Sequence, residues 1–112
     1  MYSKELTKGT LQPIILKLLS DSGKMYGYEI TQKVKELTRG KIDISEGALY
    51  PILHKLEANG ILETEEVFIG RRVRKYYTVT EAGKIMVINV SAEINNFMET
   101  LSIIFNSKPS AL

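Results

Sequence analysis

The sequence predicts a mainly α fold that carries one small β-hairpin and ends in a single long helix. Three observations predict it. Through the first half of the chain, apolar residues recur at steps of three and four, the period of helices that bury one face. Between Ile61 and Val79 the pattern changes to runs rich in β-branched and aromatic residues around a glycine, the mark of a hairpin. Beyond Thr80 the helical period returns and is sustained to about Phe105.

Leu11, Ile14, Ile15, Leu18 and Leu19 make the first helical face, with Thr10 as its expected cap and Pro13 early enough to be tolerated. Asp21-Ser22-Gly23-Lys24 breaks it. A second helix follows Gly27, sets Ile30, Val34 and Leu37 on one face, and ends at Gly40. Ile42-Asp43-Ile44 alternates, which predicts a strand of a single bridge. Ser45 is suited to cap a third helix and Glu46 to complement its dipole. Leu49, Ile52, Leu53 and Leu56 are its stripe, Pro51 predicts a mild kink, and Asn59-Gly60 stops it. Strands over Ile61–Ile69 and Val73–Val79, joined by Gly70-Arg71-Arg72, predict the hairpin. Thr80-Glu81 then opens the last helix.

Three helices followed by a two-stranded ribbon describe a winged helix-turn-helix, with the third helix as recognition helix and the hairpin as wing. The expected organisation is a head over residues 1–80, a C-terminal dimerisation helix over 81–106, and a frayed tail over 107–112.

At 112 residues the chain suits one domain with a modest core. Its 44% hydrophobic and 25% charged residues match a folded, water-soluble protein. The absence of cysteine excludes disulfides, thiolate metal sites and cysteine catalysis, and fits a cytoplasmic protein. Residues Met1 to Lys8 carry three charges and no apolar core, so no signal peptide is expected, and no apolar run approaches the roughly 20 residues of a membrane span. Fifteen Lys and Arg against thirteen Asp and Glu give a net charge of only +2, which argues weakly for nucleic acid. The distribution argues more strongly, because Phe68 to Tyr77 holds Arg71, Arg72, Arg74 and Lys75 and no acid.

Burying the stripe of the third helix turns Glu46, Tyr50, His54 and Lys55 outward or to its flank. Ser45 and the amides beside it present the positive end of the helix dipole, and Tyr50, His54 and Lys55 can reach phosphates or base edges. The competing reading packs Tyr50 on a neighbouring helix and leaves His54 merely exposed. Arg71 and Arg72 at the hairpin tip suit phosphates or a minor groove, whereas Tyr76 and Tyr77 read as structural. In the last helix Val87, Val90, Ile94, Phe97, Leu101 and Ile104 keep an a/d spacing, which predicts pairing with the same helix of a second copy. Packing back on the head through Ile85, Met86 and Ile88 competes with it, and both can hold in different turns. One histidine and no paired carboxylates or metal-ligand spacing argue against an enzyme, a cofactor or a metal.

Four segments resemble the PadR family of transcription regulators: Lys8 to Leu11 with Ile15-Leu16, Tyr26 to Ile30, Glu46 to Leu62, and Arg74 to Gly83. Glu46-Gly47-Ala48-Leu49-Tyr50-Pro51 and Lys75-Tyr76-Tyr77 are the most specific of these runs. The resemblance implies a homodimeric repressor bound to palindromic double-stranded DNA and released by a small apolar or aromatic inducer or a stress signal. It implies DNA contacts around Ser45, Tyr50 and His54 and from the basic wing. The single C-terminal helix resembles the compact subfamily, some of whose members stack flat aromatic ligands on tryptophans of that helix. This chain has no tryptophan, which leaves Phe97, Met98 and Phe105 to line such a pocket or to form dimer core. The alternative class is a winged-helix module that binds a protein and has no specific DNA site.

Overall fold

The computed structural model describes residues 2–109. A short helix α1 (Lys4–Thr7) and a 3-10 turn lead into α2 (Leu11–Ser22). Then follow β1 (Met25–Tyr26), α3 (Gly27–Leu37), α4 (Glu46–Ala58), β2 (Leu62–Ile69), β3 (Arg72–Val79) and α5 (Glu81–Phe105). From α2 onward the order helix, helix, helix, hairpin, helix is the one the sequence predicts; α1 is an addition that the sequence pattern does not announce. Among the described residues no helix is long and apolar enough to cross a membrane.

The core forms where the predicted stripes meet. Ile15, Leu16, Leu18 and Leu19 of α2, Ile30 and Val34 of α3, and Leu49, Leu53 and Leu56 of α4 are buried against Leu62 and Tyr77 of the sheet. Each such side chain contributes roughly 1.5–3 kcal/mol when fully buried, so this cluster holds the head together. Ser45 accepts the backbone N–H of Ala48 at 3.2 Å and caps α4, which runs unbroken through Pro51. Thr80 caps α5 in the same way, accepting the N–H of Gly83 at 3.1 Å. Gly83 is required there, because a Cβ would run into the Ile61 carbonyl oxygen.

Four local expectations are corrected. The short strand is Met25–Tyr26, which pairs antiparallel with Tyr77 and Tyr76, so the sheet is three-stranded in the order β1-β3-β2. Ile42 forms no strand because its N–H is taken by the Thr38 hydroxyl at 3.1 Å, and Ile44 instead plugs the core. Thr10 does not cap α2, since its hydroxyl donates back to the Thr7 carbonyl. Arg72 belongs to β3, paired with Ile69, which leaves a two-residue turn of Gly70 and Arg71. Gly70 at φ +63° supplies the left-handed residue that a type II′ hairpin needs at its first turn position.

The last helix is docked at one end only. Gly83 and Val87 are buried, and Val90 and Ile94 lie half-buried alongside α2. Ile85 and Ile88 stay 64% and 69% exposed, so the helix docks through the Met86, Val87, Val90 face and not through theirs. From Asn95 to Phe105 every residue is exposed. A compact chain of this length has a radius of gyration of about 13 Å. The observed 16.6 Å and the 68 Å long dimension reflect this projecting half-helix. Ser107 to Pro109 are exposed and irregular; Ser110, Ala111 and Leu112 of the expected frayed tail lie outside the described residues.

Candidate nucleic-acid interface

The burial of Leu49, Leu53 and Leu56 fixes which face of α4 is free. Residues 46, 50 and 54 recur every four positions, so Glu46, Tyr50 and His54 form an exposed row beginning at the Ser45 cap. The Tyr50 and His54 rings lie 6.1 Å apart. Lys55 is a further 100° round the helix from His54 and faces away from that row.

Tyr50 leans on the first residue of α3. A Cβ at Gly27 would sit 2.5 Å from the Tyr50 hydroxyl oxygen and 2.9 Å from Cζ, so only glycine lets the ring rest there. The Tyr50 packing expected as a competitor of DNA contact is therefore present, and it leaves the ring at the surface. In the sequence Gly27 marks the start of the second helix and belongs to the Tyr26 to Ile30 segment, with nothing to tie it to Tyr50; a contact between elements has no signature in local periodicity.

Facing this row across a cleft of about 490 Å³ are Arg72, Arg74 and Lys75 of β3, with Tyr26, Gly27, Ile69, Val73 and Tyr77 also in its lining. β1 covers only the Tyr76-Tyr77 part of the β3 edge, and the stretch from Arg72 to Lys75 therefore opens on the cleft. No acidic side chain lines it. The cations differ in how they are held. The Arg74 guanidinium stacks 4.1 Å above the Tyr26 ring, which meets Tyr76 edge-on at 5.5 Å. Contact with Tyr76 also holds Arg74 above the usual arginine value. Lys24 completes the ladder, lying over Tyr76 and bridging to Glu65 at 3.4 Å.

Lys75 is braced rather than free. Its ammonium donates to Glu57 at 3.1 Å, and the Thr64 hydroxyl donates to the other carboxylate oxygen at 3.0 Å. The hydrogen bond from Lys75, then that from Thr64, draws the Glu57 carboxyl below its ordinary value, and Glu57 raises Lys75 in return. Glu57 stands near the end of α4 and Lys75 in the wing, so this pair ties the two elements together. Arg71 and Arg72 at the tip are exposed and make no ion pair among the described residues.

Of the residues expected from sequence, the fold brings Tyr50, His54, Arg72, Arg74 and Lys75 around one cleft. Ser45 and Glu46 stand at the start of the same helix, Arg71 stands at the wing tip, and Lys55 lies off the cleft. Tyr26 and Gly27 join the site unannounced. On α5, Val87, Val90 and Ile94 face the chain's own α2, while Phe97, Met98, Leu101, Ile104 and Phe105 continue the stripe uncovered. An apolar cleft of about 330 Å³ opens between α2, α3 and α5, lined by Ile14, Leu18, Val34, Leu37, Val90 and Ile94 among others, and not by Phe97, Met98 or Phe105.

Residues 15–87 match the Transcriptional regulator PadR-like family. Transcriptional regulator Rv3488 of Mycobacterium tuberculosis is 36% identical, over 72% of each chain. A PadR family transcriptional regulator from Eggerthella lenta superposes with a TM-score of 0.81 at 28% identity, over 93% of this chain and 88% of that one. Bacillus subtilis PadR, solved in complex with operator DNA, superposes with a TM-score of 0.65 at 31% identity, over 71% of this chain and 45% of its own length.

Proposed function

The chain belongs to the PadR-like family of transcriptional regulators, and from that premise we propose that it is a homodimeric, sequence-specific DNA-binding repressor of the cytoplasm. The observation that carries the reading is the acid-free cleft that sets Tyr50 and His54 of α4 against Arg72 and Arg74 of the wing. A cleft between a capped helix and a cationic ribbon suits a phosphate backbone, with the helix in the adjacent major groove. The likeness to a PadR protein held on operator DNA supports it.

In this reading residues 1–80 bind DNA and 81–106 dimerise. Ser45 and Glu46 lie at the helix end that meets the duplex. Tyr50, His54, Arg71, Arg72 and Arg74 make the contacts, Lys75 holds the wing in register through Glu57, and Lys55 reaches a flanking phosphate. Phe97, Leu101 and Ile104 pair with the same helix of a second copy, which aligns two heads on half-sites about 34 Å apart in a palindrome. Val87, Val90 and Ile94 anchor the helix to the head. An apolar or aromatic inducer seated where Phe97, Met98 and Phe105 meet the second copy would respace the heads and release DNA.

The test is selection of duplexes from a random-sequence pool, followed by polarisation titration at two salt concentrations with excess competitor DNA. A palindromic consensus bound through competitor, weakened about a thousandfold between roughly 50 and 200 mM salt, is expected for six or more phosphate contacts. Absence of enrichment would instead favour a protein-interaction module.

A further inference from the structure

The chain holds a single histidine, His54, and the fold sets it exposed in the candidate DNA cleft. Imidazole is the side chain whose ordinary charge change falls between pH 5 and pH 8. A neutral ring offers one donor and one acceptor, whereas a protonated ring offers two donors and a positive charge. Only the protonated form suits a phosphate on both counts, since its contacts are then charge-assisted.

The surroundings of the ring decide what a proton does there. On its own helix Tyr50 lies 6.1 Å away, ring to ring, and Glu57 follows one turn on. The Glu57 carboxyl is drawn down first by the hydrogen bond from Lys75, then by that from Thr64, and last by the charge of His54. β3 brings Arg72, Arg74, Lys75 and Tyr77 to the lining, and β1 brings Tyr26. Two acids stand behind that lining without joining it. Glu29 of α3 accepts the Tyr26 backbone N–H at 3.2 Å, and Glu66 of β2 pairs with Lys75 across the ribbon. A proton on His54 thus adds a cation to a cleft lined by cations, and Glu57, the acid nearest along the helix, is engaged by Lys75. A phosphate backbone lying in the cleft supplies the missing anion. Occupation of the cleft and protonation of the ring then favour one another, by the reciprocity of any two coupled equilibria.

Resting on the DNA-binding reading above, we infer that His54 takes up a proton from solvent as the cleft receives the DNA backbone, so that affinity for the duplex rises as pH falls from 8 to 6. The sign follows from the linkage: the bound state holds more protons, so binding is strengthened by acid and lost toward alkaline pH. A phosphate that favours the charged form of an imidazole about tenfold makes binding at pH 6 roughly fivefold tighter than at pH 8 for one head. Two heads on one duplex multiply that to about thirtyfold. The regulator would then grip its DNA in proportion to the acidity around it, through one side chain already in the interface.

The experiment titrates wild type and His54→Gln at pH 6 and pH 8 against the duplex that wild type selects from a random pool. His54 is exposed and outside the core, so thermal melts of the two chains should agree at each pH, which keeps folding apart from binding. Wild type should tighten about thirtyfold from pH 8 to pH 6, with a salt slope about one unit steeper in acid, and His54→Gln should lose most of both effects. Calorimetry at pH 7 in buffers of different ionisation enthalpy should show wild type taking up about one proton per dimer on binding, and His54→Gln almost none. A wild type flat within about twofold over this range would overturn the proton linkage and leave the regulator reading intact. Equal pH dependence in wild type and His54→Gln would overturn it too, because another group would then carry the proton. If wild type enriches no duplex at either pH, the DNA-binding reading itself fails and the linkage fails with it.

Discussion

Replacing Gly27 with alanine should separate DNA binding from stability, because the three atoms nearest the new methyl all belong to one surface side chain, Tyr50. The methyl carbon would lie 2.5 Å from the Tyr50 hydroxyl oxygen, 2.9 Å from Cζ and 3.2 Å from Cε1. Carbon contacts are comfortable at about 3.5 Å, so the end of the ring must retreat by about 1 Å or swing out to solvent. The ring is already 36% exposed, so its departure loses little burial. Alanine is meanwhile a better helix former than glycine, by about 1 kcal/mol in a helix interior and by less at the first position that Gly27 holds. These terms oppose one another, and the melting temperature should stay within about 5 °C of wild type. Binding has no such compensation. A hydrogen bond to a charged phosphate contributes about 1.5–3 kcal/mol, which is tenfold or more for each head. The assay is a polarisation titration of Gly27→Ala beside a thermal melt, with Tyr50→Phe as the variant that keeps the ring and removes the hydroxyl. Wild-type affinity in Gly27→Ala at wild-type stability would refute the claim that Gly27 places Tyr50 for DNA.

The other predictions concern stability and assembly. Gly83→Ala drives a methyl against the Ile61 carbonyl, a backbone atom that cannot swing aside. It should cost about 1–3 kcal/mol and lower the melting temperature by about 5 °C or more; an unchanged melt would contradict the close approach. Leu101→Asp places a charge in the exposed half of the α5 stripe, outside the buried core of the head. Sedimentation should show monomer with an intact far-UV spectrum, and a variant that stays dimeric would sink the seam assignment. Glu57→Gln removes the brace between α4 and the wing at a half-exposed site, a loss of about 0.5 kcal/mol near neutral pH. The folded carboxyl lies below its unfolded value, so its contribution is complete above that value and fades as pH falls through the folded one. Lys75 is shifted upward, so its share is complete below its unfolded value and fades as pH rises through the folded one. Denaturant melts should show the gap between variant and wild type narrowing as pH falls below the unfolded carboxyl value of about 4.3, and a gap that widens there would contradict the pairing.

Helix faces, and the cap that Ser45 makes, were legible in the sequence because they are local, whereas Thr10 turned its hydroxyl back to Thr7. Leu49, Leu53 and Leu56 declare a stripe by spacing, and Ser45 declares a cap by its place before Glu46. The row of Tyr50 and His54 follows from that stripe, and so does its exposure. Contacts between distant elements were not legible. Met25-Tyr26 is too short to carry a strand pattern, and it becomes one only because β3 offers an open edge at Tyr76 and Tyr77. Ile42 and Ile44 alternate like a strand, yet Thr38 takes the backbone donor a ladder would need. The a/d seam of α5 reads as one surface, but its first turns are used by the chain's own α2, leaving Phe97 onward without a cover. Period alone does not say which neighbour a stripe will meet. The same limit explains why Lys75 read as one of four equivalent cations, when Glu57 engages it and not Arg71 or Arg72.

If the wing and α4 hold a phosphate backbone between them, the salt dependence of binding must change in Arg71→Ala/Arg72→Ala. Both side chains are exposed and free of ion pairs among the described residues, so the fold should survive their loss. Each phosphate contact adds about 0.9 to the slope of log affinity against log salt, and a dimer carries two tips. The double variant should bind more weakly, with a slope reduced by roughly three to four units. A double variant that binds the selected duplex with wild-type affinity and wild-type slope would take the wing out of the interface.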